Sequence, residues 1–231
     1  MEKRPRKAPA LTFGCGKVCA KGVLICALFV PAFGALSLLP QEMTGSGSWH
    51  ILKTAEVGER ARPKELLKIY SIVRSHRPDI SESETWQLSE VIHEESLKRQ
   101  LDPLLVLALI QVESSFQPTA VSPMGARGMM QIMPDTGKFL AETLAGEYGI
   151  RFAAFKPESL DDPVLNLRLG IYYLHDLRKQ FQHLNHALTA YNFGPADTQN
   201  RLENNLDLSG EFATLVLDAY QRYQKTQHPI F

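Results

Sequence analysis

Residues 101–113 read Leu101-Asp-Pro-Leu-Leu-Val-Leu-Ala-Leu-Ile-Gln-Val-Glu113. An Asp-Pro pair is typical of a helix start, because Asp102 can accept hydrogen bonds from free backbone N–H groups and Pro103 fits the first helical position. The residues that follow are apolar almost all round, so we expect this helix to be the buried central helix of an all-α domain. Its length of about 12 residues is too short to cross a membrane.

Helical patterns continue on both sides of this segment. We expect one helix over residues 63–77 and a second that is capped by Ser81 or Ser83. Residues 117–128 are rich in Gly, Pro and Ser and should form a loop that leads into a short helix. Further helices are expected over residues 135–147, over 164–181 after a second Asp-Pro pair, before Tyr191-Asn192, and over 212–223. No run alternates with period two, which leaves room for at most a small hairpin in residues 146–157.

The first 39 residues differ from the rest in composition. Residues 1–21 contain six Lys or Arg and one acid, and residues 22–39 contain no charged residue. The uncharged run just reaches the length of a bilayer span, and its basic flank fits a cytoplasmic N-terminus. Two interpretations stay open: an uncleaved signal-anchor, or a signal peptide cut near residues 32–34, where Ala-Phe-Gly is a small-x-small pattern. The long basic region favours the anchor, and either interpretation predicts that the body leaves the cytoplasm.

These patterns divide the chain into a basic tail with the apolar segment (1–39), a linker (40–62) and a helical domain (63–231). Beyond residue 21 the chain has 19 basic and 24 acidic residues, which argues against nucleic acid as a partner. All three cysteines (Cys15, Cys19 and Cys26) lie in the tail, so the domain must be stabilised by packing alone. No His or Cys set has the spacing of metal ligands, so we expect neither metal nor cofactor.

Glu113 is the candidate catalytic residue. A carboxylate in the last turn of a helix lies against the negative end of the helix dipole, and burial beside Phe116 and Met130 would remove water from it. Both effects raise the pKa of the carboxyl group, and a carboxyl that is protonated near neutral pH suits a general acid. The alternative is an ordinary solvated Glu.

Three sequence segments, in this order along the chain, form a recognisable set: Glu113-Ser-Ser-Phe116, Ser122-Pro-Met-Gly-Ala-Arg-Gly-Met-Met-Gln-Ile-Met-Pro134 and Ala190-Tyr-Asn-Phe-Gly-Pro195. Together they resemble the catalytic (SLT) domain of the soluble lytic transglycosylases, relatives of goose-type lysozyme that cleave the glycan of bacterial peptidoglycan. The resemblance spans roughly residues 100–195, with Met129 where Leu is usual and Phe193 where Ala is usual. It implies a lysozyme-like all-α fold, Glu113 as the catalytic residue, and five substrate contacts: Ser122, Gln131, Met133, Tyr191 and Asn192.

The resemblance also implies a reaction and a location. Glu113 would cleave the β-1,4 bond between N-acetylmuramic acid and N-acetylglucosamine, with formation of a 1,6-anhydro ring and without a second carboxylate. The partner would be the glycan strands of peptidoglycan, and the enzyme would lie in the bacterial periplasm, held to the inner membrane by residues 22–39 if these are uncleaved. Two alternatives stay open. One is a lysozyme-type hydrolase, with Asp161 or Asp162 as nominal second carboxylate, and the other is a non-catalytic glycan-binding envelope protein. Glu211 stands where family members carry a Glu before the last helix, but its flanking residues differ.

Overall fold

The computed structural model describes residues 64–150, 154–208 and 210–226. The expected tail, the apolar segment 22–39 and the linker 40–62 lie outside the described residues. Where the chain is described, its regular structure is helical: α1 (64–76), α2 (Glu82–Lys98), α3 (Pro103–Ser114), α4 (Pro134–Thr143), α5 (Ala145–Tyr148), a 3-10 helix (Pro157–Asp161), α6 (Pro163–Phe181), α7 (Leu184–Phe193), α8 (Pro195–Glu203) and α9 (Glu211–Lys225). None of these helices combines the length and the apolar character needed to cross a membrane.

Helix α3 is the buried centre that the sequence predicts. Its N-cap Asp102 accepts a hydrogen bond from the Leu104 amide at 2.8 Å. No residue from 105 to 110 is more than 2% exposed. Helix α9 makes the most extensive contact with α3, and α2 packs on it as well. The Tyr220 hydroxyl of α9 donates to Asp102 Oδ2 at 2.5 Å, which fixes the last helix against the start of the central one.

The expected single helix over residues 135–147 is wrong. Helix α4 ends at Thr143, and a separate short helix, α5, follows Leu144. The break buries the Leu144 side chain and turns Tyr148 toward α2, where its hydroxyl donates to Glu95 Oε2 at 2.5 Å. Arg99 donates to the same hydroxyl at 3.1 Å. These tertiary contacts outweigh the helical pattern of the continuous sequence.

Two further expectations need correction. The loop that begins at residue 117 reaches no helix until Pro134, and single antiparallel bridges link Val121 with Arg127 and Arg127 with Ile132. The described part of 146–157 has no strand, so strand-like pairing occurs in this loop instead. Helix α8 was not predicted, although Pro195 occupies its first turn as Pro does in α3 and α6. Ser81 is the residue that caps α2, through a capping box with Glu84.

One buried polar side chain ties the loop to α6. Asn166 is fully buried, and its Nδ2 donates to the carbonyls of Arg127 at 3.0 Å and Leu160 at 2.9 Å. Its Oδ1 accepts from the Met130 amide at 2.8 Å. Gly128 has φ +82°, and a Cβ there would lie 2.1 Å from Asn166 Nδ2. Glycine is therefore required at this position both for its backbone conformation and for the approach of Asn166.

We predict that Asn166→Ala lowers the free energy of unfolding by about 3 kcal/mol, because it leaves the Met130 amide and the Leu160 carbonyl without the partner that Asn166 provides, each at a cost of roughly 1–3 kcal/mol. The Arg127 carbonyl keeps its hydrogen bond from the Ile132 amide. Urea denaturation, monitored by the circular dichroism signal of the helices, measures the change in free energy of unfolding. Asn200→Ala, at an exposed position of α8, is the control and should change stability by less than about 0.5 kcal/mol. Equal losses in the two variants would contradict a special role for Asn166.

Candidate active site

Glu113 lies in the last turn of α3, where the apolar helix approaches the surface. Burial raises the pKa of its carboxyl group to about 8. The expected rise in pKa is confirmed, so Glu113 is mostly protonated at neutral pH. The next residue, Ser114, donates from Oγ to the Met129 carbonyl at 2.7 Å and fixes the end of α3 to the loop.

A cavity of about 220 Å³ is formed by the end of this loop, the start of α4, one residue of α6 and the turn between α7 and α8. Its lining consists of Gln131, Ile132, Met133, Thr136, Tyr173, Tyr191, Asn192, Phe193, Gly194 and Pro195. Burial raises the pKa of the Tyr191 hydroxyl well above its usual value, and the negative charge of Glu113 raises it further. Glu113 itself is not among the residues that line the cavity, but its charge acts on Tyr191, which is one of them.

Four of the six residues that the sequence singled out belong to this arrangement as cavity lining: Gln131, Met133, Tyr191 and Asn192. Met133 is 43% exposed and forms the N-cap of α4. The Gln131 amide group donates to the carbonyls of Ala120 at 3.0 Å and Gly128 at 2.9 Å, which leaves its side-chain oxygen as the atom that can meet a ligand. The Tyr191 hydroxyl donates to the Met130 carbonyl at 2.9 Å and retains only acceptor capacity.

Ser122 is not part of the cavity lining. Its Oγ accepts a hydrogen bond from the Ala126 amide at 3.0 Å, and its backbone N–H donates to the Ala126 carbonyl at 2.9 Å. The side chain therefore closes the turn over residues 122–126, at the other end of the loop that contributes Gln131 and Met133. Its hydroxyl proton remains available, so its assignment as a substrate contact stays a prediction.

Sequence reasoning missed Tyr173 and the exposure of Phe193. The ring of Tyr173 lies 5.3 Å from that of Tyr191, and both rings line the cavity. The sequence contains a signal for Tyr173, because it follows Asn166 by two helical turns and therefore lies on the same face of α6. Phe193 is 43% exposed, and the guanidinium group of Arg201 lies 5.8 Å from its ring centre. The Phe at this position therefore adds an aromatic surface to the cavity.

No aspartate or glutamate is among the residues that line the cavity. Asp161 is held by Arg127 through two hydrogen bonds of 3.1 and 2.6 Å, and Asp162 caps α6 by accepting from the Leu165 amide at 2.7 Å. Glu211 is exposed in the first turn of α9, where the helix dipole favours a carboxylate. In the described ranges, no group of three His, Cys, Asp or Glu side chains has the arrangement of a metal site.

Residues 90–211, more than half of the chain, match the family model of the transglycosylase SLT domain. The chain therefore belongs to the transglycosylase SLT domain family. Over 105 residues it is 35% identical to a protein of Enterobacteria phage PRD1 named transglycosylase. That stretch covers 46% of this chain and 34% of the phage protein, so the chain spans only about a third of the length of this relative.

Solved structures with a similar fold are known. The 70-kDa soluble lytic transglycosylase in complex with bulgecin A is similar with a TM-score of 0.52 at 24% identity, over 69% of this chain and 29% of that one. This likeness confirms the all-α, lysozyme-like fold of the described domain. An inactive mutant of the lytic transglycosylase Slt from Pseudomonas aeruginosa is 29% identical with a TM-score of 0.43, over 58% of this chain and 22% of that one.

We predict that Glu113 makes stability fall as the pH rises. The carboxyl group has a pKa of about 8 in the folded chain against a usual 4.5, so between these values the folded state binds one proton more than the unfolded state. Glu113→Gln removes this penalty. At pH 9 the variant should exceed the wild type in free energy of unfolding by at most about 5 kcal/mol, since one pKa unit corresponds to about 1.4 kcal/mol and the two pKa values differ by about 3.5.

Urea denaturation at pH 5 and pH 9 provides the measurement, and the difference should be close to zero at pH 5. The matched control is Glu94→Gln, at an exposed position of α2. A Glu113→Gln variant with the same advantage at both pH values would show that the carboxyl group is not held protonated by the fold.

Proposed function

We propose that this domain is a lytic transglycosylase that cleaves the β-1,4 bond between N-acetylmuramic acid and N-acetylglucosamine in the glycan strands of peptidoglycan. The observation that carries the proposal is Glu113: a carboxyl group with a pKa of about 8, whose charge acts on Tyr191 in a cavity that Gln131, Met133 and Asn192 also line. Membership of the transglycosylase SLT domain family supports the same reaction.

In the proposed first step, Glu113 donates its proton to the glycosidic oxygen that leaves. A general acid has to be protonated at working pH, and burial provides this for Glu113. The bond to the muramic acid carbon breaks, and the 2-acetamido group of the same sugar stabilises the positive charge that develops there. In the second step the ionised Glu113 removes the proton of the 6-hydroxyl group, whose oxygen attacks this carbon. The 1,6-anhydro ring closes, and Glu113 regains its proton.

The cavity residues are proposed to hold the sugar for this sequence of steps. The Asn192 side chain is exposed at the cavity. Both hydrogen bonds of the Gln131 side chain are made by its nitrogen, so its oxygen can accept a hydrogen bond from the sugar. Amide groups of this kind suit the acetamido groups of both sugars, while Met133 offers apolar surface. Tyr191, whose proton is committed to Met130, can accept a hydrogen bond from Glu113 and thereby orient it.

The arrangement of carboxylates favours a transglycosylase over a hydrolase. Most glycosidases that use water need a second carboxylate, about 5–9.5 Å from the first. The two nominal candidates, Asp161 and Asp162, are engaged with Arg127 and with the start of α6. A non-catalytic glycan-binding role is disfavoured because a carboxyl group with a strongly raised pKa costs stability and gives binding no advantage.

We predict that the full-length chain releases muropeptides ending in 1,6-anhydromuramic acid from purified sacculi. These products are lighter than hydrolytic products by one water and resist borohydride reduction, so mass spectrometry before and after reduction identifies them. Glu113→Gln should lower the rate of release by about 10²–10⁴-fold, because one residue acts as both acid and base. Its folding should remain intact.

Glu94→Gln is again the matched control and should release products at the wild-type rate. Predominantly reducing ends from the wild type would move the assignment to a lysozyme-type hydrolase. Release by Glu113→Gln at close to the wild-type rate would overturn the role of Glu113. No release by well-folded wild type would leave the glycan-binding alternative.

We also propose where the domain works: in the bacterial periplasm, attached to the inner membrane through residues 22–39, with residues 40–62 as linker and the catalytic domain from 63 to 231. The sequence supports this assignment. Residues 22–39 are uncharged and follow six basic residues, a pattern that inserts into lipid and keeps the basic end in the cytoplasm.

We predict that the full-length chain fractionates with membranes and stays there in a high-salt wash, since apolar insertion is not screened as surface charge is. A chain that begins near Ile51 should instead be soluble and keep the activity of the full-length protein. Immunoblots of washed membrane fractions, with N-terminal sequencing of the recovered protein, provide the measurement. A wholly soluble protein whose N-terminus lies between residues 32 and 41 would show a cleaved signal peptide.

A further inference from the structure

A buried arginine just after α1 contacts the turn that follows Glu113. Arg77 is 8% exposed, and its Nη1 donates to the Phe116 carbonyl at 3.0 Å. Its Nε and Nη2 donate to the two carboxylate oxygens of Asp79, at 2.8 Å each. Arg77 lies 39 residues before Phe116 and outside the segment 90–211 that matches the family model.

The turn that Arg77 contacts has an unusual backbone conformation. Ser115 has φ 51° and Phe116 has φ 64°, so two successive non-glycine residues lie in the left-handed region. Such residues cost free energy and persist only where surrounding contacts enforce them. The turn begins two residues after Glu113, and any relaxation of it would move the last turn of α3.

A second contact encloses the same turn. The Phe116 side chain is fully buried, and its ring stacks on that of His76 with a centre-to-centre distance of 4.5 Å and an interplanar angle of 14°. His76 Nε2 is in turn 2.7 Å from the Tyr223 hydroxyl of α9. The end of α1 therefore holds Phe116 by its ring through His76 and by its carbonyl through Arg77.

We propose that Arg77 is a positioning residue for Glu113: its hydrogen bond to the Phe116 carbonyl fixes the turn that keeps the Glu113 carboxyl withdrawn from water. The inference rests on the proposed function only for its effect on rate. The positioning itself is a property of the fold.

The effect is one of geometry and not of charge. Burial is what raises the pKa of Glu113, and the positive charge of Arg77 is not among its causes. The charges that act on Arg77 are those of Asp79 and Glu84, and Arg74 acts on Asp79. The charge of Glu113 acts on Tyr191. Three N–H groups of one guanidinium serve Asp79 and Phe116 together, an arrangement that a lysine ammonium cannot reproduce.

The test compares Arg77→Lys, which keeps the charge, with the full-length wild type on purified sacculi. We expect kcat to fall by about 10–100-fold with KM within about twofold, since small displacements of a catalytic group cost rate far more than binding. The alkaline limb of the pH profile of kcat/KM should move down by about one pH unit, because a displaced Glu113 gains water. Asp79→Asn weakens the hydrogen bonds that hold the Arg77 guanidinium group at its more exposed side. We expect smaller changes in kcat and in the pH profile for this variant, in the same direction.

Ile69→Val is the matched control, because it removes a buried methylene group from α1 and lowers stability while both partners of the hydrogen bond between Arg77 and Phe116 stay unchanged. Its pH profile should equal that of the wild type. An unchanged pH profile in Arg77→Lys, or an equal shift in Ile69→Val, would overturn the proposal.

A direct titration separates this proposal from the proposed function. The side-chain carboxyl carbon of Glu113, assigned in 13C NMR spectra by its loss in Glu113→Gln, reports the pH at which the group ionises whether or not the chain cleaves glycan. We expect this midpoint to be lower in Arg77→Lys than in the wild type. If the wild type is inactive but the midpoint is lower in Arg77→Lys, the proposed function is refuted and the positioning role of Arg77 is retained. If the two midpoints are equal, the positioning role is refuted.

Discussion

The constraint on which this domain depends is that its most apolar helix ends in an ionisable group. Helix α3 is stable only if other parts of the chain cover its apolar surface, and α9 and α2 provide much of this cover. The same coverage withholds water from Glu113 in its last turn. Packing that stabilises the fold therefore also sets the protonation state of the candidate catalytic group, and no nearby charge is needed to shift its pKa.

The wall of the cavity is held by side-chain hydrogen bonds and has little regular structure. Three side chains from three helices hold its backbone at adjacent residues: Ser114 of α3 binds the Met129 carbonyl, Tyr191 of α7 binds the Met130 carbonyl, and Asn166 of α6 binds the Met130 amide. Side chains thus satisfy the Met129 carbonyl and both backbone groups of Met130, while the bridges on either side of these residues pair backbone with backbone. The loop thus gains the precision of a packed element while its next residues, Gln131 to Met133, stay open to a ligand.

The parts of this architecture that local chemistry specifies could be predicted from the sequence. The pair Asp102-Pro103 predicts the start of α3, and the apolar run that follows predicts that this helix is buried. The break at Leu144 could not be predicted, because its cause is the contact of Tyr148 with Glu95, 53 residues earlier. Similarly, the motif that contains Gln131 indicated a binding wall, but the fixed orientation of the Gln131 amide depends on the carbonyls of Ala120 and Gly128, which only the folded loop brings together. The contact of Arg77 with Phe116 left no local sign in the sequence.

The pairing of the last helix with the central one has a consequence for the order of events during synthesis. Tyr220 and Asp102 are 118 residues apart, and α9 supplies the largest part of the cover over α3. A growing chain has made Glu113 and the whole cavity wall before it makes α9. Until residues 211–225 follow, one side of α3 faces solvent and the carboxyl group lacks its final surroundings. The candidate catalytic group is therefore made early but reaches its final surroundings late, and the domain cannot complete its fold piece by piece from the N-terminal side.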